Sequence, residues 1–261
     1  MAFDHQSAKD FIARTDLPSQ PELFGINAGM GMPDFETSSQ QSLVVGSNVV
    51  SFASGIDAKL RQAITDTSLF AQLAAARAVN NDPDPLKFFD AYFTYLANIG
   101  WVIQSKQTAE VNYEGDTLEV HKAILGVITS FLSPVAGALQ AVLSVLSGLQ
   151  NMNRNAPFIT LFKKQSQHGN IGRFQFTCIY SDPEQGPVAR AIAFSLQADN
   201  TLTQVLFFKL QKGKTNFRRS EGVLSIDAHA LISLQSQLTT KLKAYHSAYI
   251  ADTKLAPLEE D

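Results

Sequence analysis

Apolar residues fall at helical spacing over the first hundred positions, interrupted once by a segment of a different kind. Residues 1–16 read as a short helix, and residues 17–56 as an irregular arm, since Pro18, Pro21, Pro33, Gly25, Gly29 and Gly31 come in quick succession. From Asp57 to Val79 the pattern is helical again, with Leu60, Ile64, Phe70, Leu73, Ala74 and Val79 on it. Asn80-Asn81-Asp82-Pro83-Asp84-Pro85 breaks it, and 86–99 supplies a further helix carrying Phe88, Phe89, Tyr92, Phe93 and Leu96. Gly100 ends that helix. Trp101–Ile103 with Ala109–Tyr113 then gives one strand or a pair.

Residues 118–152 predict an apolar helical hairpin. Asp116 or Thr117 can cap a first arm running to about Phe131, and Ser133-Pro134 suits the start of a second arm ending near Met152. Neither arm has a strong polar face, because Ser, Thr, Gln and Gly fill the positions that charges would normally take. A helix apolar nearly all round is a buried helix.

After Asn155 the period changes to two. Phe158–Phe162 predicts a strand. Arg173–Tyr180 alternates Phe174, Phe176, Cys178 and Tyr180 against Arg173, Gln175 and Thr177. Val188–Leu196 sets Val188, Ile192, Phe194 and Leu196 against Ala189, Ala191, Ala193 and Ser195, a small face on which a helix can lie close. Leu202–Leu210 is apolar on both faces, as a central strand is, and Asn216–Ile226 is more polar and edge-like. A final helix over 227–250, capped by Asp227, carries Leu231, Leu234, Leu238, Leu242, Tyr245 and Tyr249. Helices, an apolar hairpin, a β-meander over 157–226 and a last helix add up to an α+β fold. The expected architecture is one domain over 1–261, a layered sandwich in which helical hairpins wrap an antiparallel β-sheet.

Composition sharpens this picture at one place. Charged residues make up 17% of the chain, against about 25% in ordinary domains. The deficit is concentrated between Lys122 and Arg154, where no Asp, Glu, Lys or Arg occurs. A net charge of −3 gives no basic footprint for nucleic acid, so none is expected as a partner. One cysteine leaves no disulfide framework, and the five histidines are scattered singly in sequence, so no metal site is expected. Neither a nucleophile elbow, a P-loop, H-E-x-x-H nor C-x-x-C is present, and the expectation is a protein that is not an enzyme, with no catalytic residue and no obligatory cofactor.

The uncharged hairpin has a second reading beside that of a core element. A charge at the bilayer centre costs about 2.5–3.5 kcal/mol on insertion scales, and this hairpin carries none. Arms of about fifteen residues give roughly 22 Å of helix against a hydrocarbon core of about 30 Å, so lying in the interface suits each arm better than spanning. The predicted strands approach the roughly nine to eleven residues that a tilted membrane strand needs. The expected lipid-contacting residues are Ile124, Leu125, Ile128, Phe131 and Leu132 on the first arm, and Val135, Leu139, Val142, Leu143 and Leu146 on the second. Leu206, Phe207 and Phe208 join them from the apolar strand. Cys178, mid-strand on a phenylalanine face, reads as core; its alternative role is to carry a thioester-linked fatty acid. With no apolar run of a signal peptide near the N-terminus and none of 18 residues anywhere, the chain is expected to be soluble and to leave its cell without a secretory leader.

The order of these segments resembles a known fold family. HKAILGVITSFLSPVAGALQAVLSVLSGL, PFITLFKK, RFQFTCIY, PVARAIAFSLQ and TQVLFFKLQ together are similar to the Cyt-type cytolysins, whose relatives of like fold include volvatoxin and the Erwinia virulence factor. The resemblance covers residues 118 to 238 and is strongest in the hairpin and in TQVLFFKLQ; the arm before Gly55 departs from it. It implies a toxin or virulence factor that binds a lipid membrane directly, pore-forming or membrane-perturbing, whose helical layer moves off the strands, with assembly of several copies on the membrane as a further option. The alternative it implies is a non-lytic, fatty-acylated protein, since the Erwinia relative carries its acyl chain on a cysteine and Cys178 is the cysteine available. It also makes the arm at 17–56 and the acidic tail candidate processing sites.

Overall fold

An aspartate opens each of four helices. Asp4 Oδ1 accepts from the backbone N–H groups of Gln6 and Ser7 at 3.1 and 3.0 Å, and Asp57 Oδ1 from those of Lys59 and Leu60 at 2.9 and 3.2 Å. Asp84 caps Leu86 at 3.0 Å with Pro85 in the first helical position, and Asp227 caps Ala230 at 2.9 Å. The computed structural model describes residues 3–19, 32–79, 84–111, 117–133, 135–151, 157–168, 170–198, 209–211 and 215–252.

In chain order the elements are α1 (His5–Arg14), β1 (Gln41–Val45), β2 (Asn48–Phe52), α2 (Ala58–Val79), α3 (Pro85–Ala97) and β3 (Trp101–Glu110). There follow β4 (Thr117–Glu119), α4 (Val120–Leu132), α5 (Ala136–Asn151), α6 (Pro157–Ser166), β5 (Gln167–His168) and β6 (Ile171–Asp182). The chain continues through β7 (Gly186–Ala198), β8 (Lys209–Gln211), β9 (Thr215–Ile226), α7 (Ala228–Leu242), α8 (His246–Tyr249) and β10 (Ile250–Asp252). The main sheet runs β10-β1-β2-β6-β7-β9-β3, with β5 hairpinned onto β6, and β4 pairs separately with β8.

Strand alternation gives the sheet two apolar faces and so two cores. On one face Leu43, Val45, Val50, Phe52, Ile179 and Ala189, Ala191 and Ala193 meet α1, α2, α3 and α7. The small side chains do let a helix come close: Ala191 pairs with Gly222, where an added Cβ would stand 3.1 Å from the Phe93 ring of α3. On the other face Val44, Val49, Phe174, Phe176, Cys178, Ile192, Phe194, Leu196 and Phe217 meet α4, α5 and α6. The layered α+β architecture expected from the sequence is therefore present.

Four expectations are corrected. The sheet is mixed: β2 runs parallel to β6, Val49 opposite Phe176, because the helical segments from α2 to α6 intervene before the chain re-enters the sheet. The arm at 17–56 contains β1 and β2, which are buried on both faces and so show no alternation. Gly46 makes their two-residue turn at φ 60, where a Cβ would collide with Gln72 Oε1 at 2.7 Å. Phe158–Phe162 is part of a helix rather than a strand, so the meander begins at Ile171; Leu161, Phe162 and Ser166 face inward while Thr160, Lys163 and Lys164 face out, and Pro157 occupies the first helical position. The polar strand β9 lies between β7 and β3, and β3 is the edge.

The last helix is also shorter than expected. It stops at Leu242, and the chain turns through α8 into β10, which pairs with β1. Of the strand expected over 202–210, residues 202–208 lie outside the described residues, as does the acidic tail.

Candidate functional site

The apolar hairpin packs on the sheet where its sequence pattern directs it. Ile124, Ile128 and Leu132 on α4 and Val142 and Leu146 on α5 are buried, joined by Val120, Val127 and Val145. Leu125, Phe131, Val135, Leu139 and Leu143 are half-buried. Past Lys122, which is exposed on the first turn of α4, the outward positions are Gly126, Thr129, Ser130, Ser133, Gln140 and Ser147, which are polar or small but uncharged. Leu206, Phe207 and Phe208 lie outside the described residues.

Beneath the hairpin is a cluster of five phenylalanines that was not among the expected lipid-contacting residues. Phe174 and Phe194 stack with ring centroids 5.4 Å apart, and Phe194 and Phe217 at 5.7 Å; Phe162 and Phe176 stand edge-on or tilted against Phe174 at 6.2 and 6.1 Å. The alternation of Phe174 and Phe176 with Phe194 across the next strand is the sequence signal for it. Cys178 belongs to the same face and is 1% exposed; burial pushes its thiol up to about 12. As a nucleophile or acyl acceptor it is suppressed for as long as the hairpin covers it.

Charged residues also stand on this face: Arg219 and Glu221 of β9, level with Phe194 and Ile192, pair with each other at 3.0 Å, and Arg190 of β7 reaches the hairpin. Arg190 on β7 sits opposite Cys178 of β6. Its Nη1 donates to the Phe131 carbonyl at 2.9 Å, its guanidinium carbon lies 5.4 Å from the Phe131 ring centroid, and its Nε donates to Tyr180 Oη at 3.3 Å. Its sequence signal is an arginine between Val188 and Ile192 in a period-two apolar run.

The opposite helical layer is held differently. Asn48 Nδ2 donates to Thr177 Oγ1 at 3.0 Å and to Ser68 Oγ at 3.2 Å, and Ser68 Oγ is 3.2 Å from Tyr92 Oη. Gln72 of α2 donates to the Val45 carbonyl at 2.7 Å and accepts from Ser47 N at 3.0 Å, while Trp101 Nε1 donates to Thr67 Oγ1 at 3.2 Å. Arg61 is fully buried and donates to the carbonyls of Ser39, Ala53 and Ile56 at 2.7, 2.9 and 2.9 Å, fastening the segment before β1 to α2. Buried hydrogen bonds of this kind fix one arrangement, because separating the layers would leave each group unpaired at a cost of about 1–3 kcal/mol.

Among the described residues no three His, Cys, Asp or Glu side chains converge as a metal site would require. The histidines are nonetheless not all single in space: His5 and His229 stand with ring centroids 5.9 Å apart, and His5 Nδ1 is 2.9 Å from Ser233 Oγ. Among the described residues no helix is long and apolar enough to cross a membrane.

No family model matches the chain, and no curated protein sequence matches it. Several solved structures align with the chain. A delta-endotoxin aligns at TM-score 0.39 and 15% identity over 76% of this chain and 90% of its own. The activated Cyt2Ba monomer from Bacillus thuringiensis subsp. israelensis aligns at 0.31 and 19%, over 60% and 93%, and the Evf virulence factor at 0.31 and 11%, over 83% and 87%. By name these are an endotoxin, a Cyt protein and a virulence factor.

Proposed function

We propose that this protein is a membrane-active toxin or virulence factor, pore-forming or membrane-perturbing, that binds lipid directly through the α4–α5 hairpin and the phenylalanine face beneath it. The observation that carries the reading is the asymmetry of the two layers. The α2 side is bonded to the sheet by a buried polar network, whereas the α4–α5 side meets it mainly through apolar side chains, with Arg190 to the Phe131 carbonyl as a hydrogen bond between them, and bears no charge from Ala123 to Asn151. Apolar contacts worth about 1.5–3 kcal/mol per buried side chain in water can be replaced by lipid, and hydrogen bonds cannot. The hairpin is thus the layer whose transfer costs least. The reading includes no catalytic step, metal or obligatory cofactor; its partners are a lipid membrane and, on it, further copies of the chain. It is released as a soluble protein and acts at the target membrane.

Dye release from phosphatidylcholine vesicles, with and without phosphatidylglycerol, tests this reading together with maleimide labelling of Cys178. Leakage with lipid-dependent labelling of the thiol supports it. Absence of leakage at every composition, for intact and nicked protein, removes the lytic function.

A second reading draws on the seat of Cys178 in the same apolar cluster: a non-lytic protein with a fatty acid on or near that thiol. The intact mass of protein from its native host decides it, an unmodified mass leaving Cys178 as core.

A further inference from the structure

The difference between the two layers concentrates at Arg190. It stands on the hairpin-side face of β7 in register with Cys178, and it reaches up to the joint between α4 and α5. The carbonyl it meets, that of Phe131, belongs to the last turn of α4, where backbone acceptors have no partner within the helix. A cation there satisfies an orphan carbonyl and complements the helix dipole, and the guanidinium carbon also stands over the Phe131 ring, 5.4 Å from its centroid. Tyr180 Oη holds the other side of the guanidinium through Nε.

We propose that Arg190 is the latch of the hairpin: it clamps the α4–α5 joint to the middle of the sheet, and its release lets the hairpin leave that face while the α2 layer stays in place. The proposal rests on the reading of the hairpin as the lipid-contacting layer, and it supplies that layer's control point. The surrounding chemistry fits such a role. On this face Ser42 and Ser51 bond to each other at 2.9 Å and Arg219 to Glu221 at 3.0 Å, within the sheet, and the hairpin's core contacts are apolar side chains that exchange freely with other apolar surroundings, whereas Arg190 makes a directional, charge-assisted bond to the hairpin itself that is either made or broken. A latch at the end of α4 also lies within a few residues of the start of α5.

Cys178, the cross-strand partner of Arg190, reports on opening. The rate of its modification by a neutral maleimide, in buffer without lipid, is measured for the wild type, R190Q and R190K, together with amide hydrogen exchange in α2 and dye release from phosphatidylcholine–phosphatidylglycerol vesicles. R190Q is expected to label at least about tenfold faster, the factor a charge-assisted hydrogen bond carries, with α2 exchange unchanged and R190K intermediate. Equal labelling of wild type and R190Q overturns the latch. So does faster labelling matched by equally faster α2 exchange, which would be loss of global stability, and so does failure of R190Q to fold, because a latch is dispensable to the rest of the structure. The vesicle arm separates this from the lytic reading: tenfold labelling with no leakage from any form leaves the latch and removes lysis, whereas leakage with unchanged labelling removes the latch alone.

Discussion

His246 Nε2 lies 2.9 Å from Asp66 Oδ1, joining the turn that follows the last long helix to the fully buried middle of α2 across 180 residues of chain. The second carboxylate oxygen accepts from Thr239 Oγ1 at 2.8 Å. The carboxylate is thus tied to two successive pieces of the C-terminal region, α7 and α8, and the direction in which β10 leaves toward β1 depends on it.

Removing one partner from this pair should be costly. His246→Phe leaves a buried carboxylate with Thr239 as its remaining described partner and is expected to destabilise the protein by about 3–5 kcal/mol, against about 1–3 for Asp66→Asn. Urea unfolding should show the midpoint falling with an unchanged slope. Equal, negligible effects would mean that the pair does not hold the C-terminal turn.

Cys178 should make the fold weaken at alkaline pH. Its ordinary value is 9.0 and its folded value about 12, so above pH 9 the unfolded chain releases the thiol proton while the folded chain keeps it. The unfolded state then binds fewer protons, and stability falls as pH rises through that window, with no contribution at pH 7. Between pH 8 and pH 10 the wild type should lose about 1 kcal/mol that Cys178→Ala does not lose. Parallel urea midpoints for the two proteins at both pH values would contradict this.

Arg173 offers a stabilising substitution. Its guanidinium carbon lies 3.5 Å from the Phe88 ring centroid, its buried Nε has no hydrogen-bond partner, and burial lowers its pKa to about 10. Below that pH the folded state carries the full cost of desolvating the cation, offset in part by the aromatic contact. Arg173→Met should raise stability by about 1–2 kcal/mol and Tm by roughly 2–8 °C in a thermal melt at neutral pH. A lower Tm would show that the contact with Phe88 outweighs the desolvation.

Charges on the outward side of the hairpin should separate folding from lysis. Thr129→Lys and Ser147→Lys are at exposed positions and should leave the urea midpoint within about 0.5 kcal/mol of wild type. Each would add up to about 2.5–3.5 kcal/mol to insertion at the bilayer centre, so dye release from phosphatidylcholine vesicles should fall by an order of magnitude or more. Undiminished release would take the hairpin out of the lipid contact.

The parts of this fold that were legible in the sequence are those governed by local chemistry. Asp57 and Asp227 mark helix starts, the Asn- and Pro-rich segment after Val79 marks where α2 gives way to α3, and the uncharged run marks the hairpin. The arm was misread because Leu43–Val45 and Val49–Phe52 are covered on both faces, which erases alternation, although Gly46-Ser47 between two apolar runs is a hairpin signal. Phe158–Phe162 was misread because β-branched and aromatic residues favour strands only where a sheet receives them; here Pro157 and the outward lysines win. Asp66 with His246, and His5 with His229, are contacts of the fold itself, and no spacing along the chain announces them.

The parallel register of β2 with β6 has a consequence for how the molecule is made. During synthesis β1 and β2 emerge early but have no lasting neighbours: β6 follows more than a hundred residues later, and β10, which covers the free edge of β1, lies at the far end of the described chain. For most of translation this hairpin presents bare valine-rich edges, the kind of surface on which nascent chains pair with one another. Assembly of the sheet is therefore a late, chain-wide event that begins from a distant closure. Pairing between nascent chains is thus a hazard separate from the stability of the finished protein.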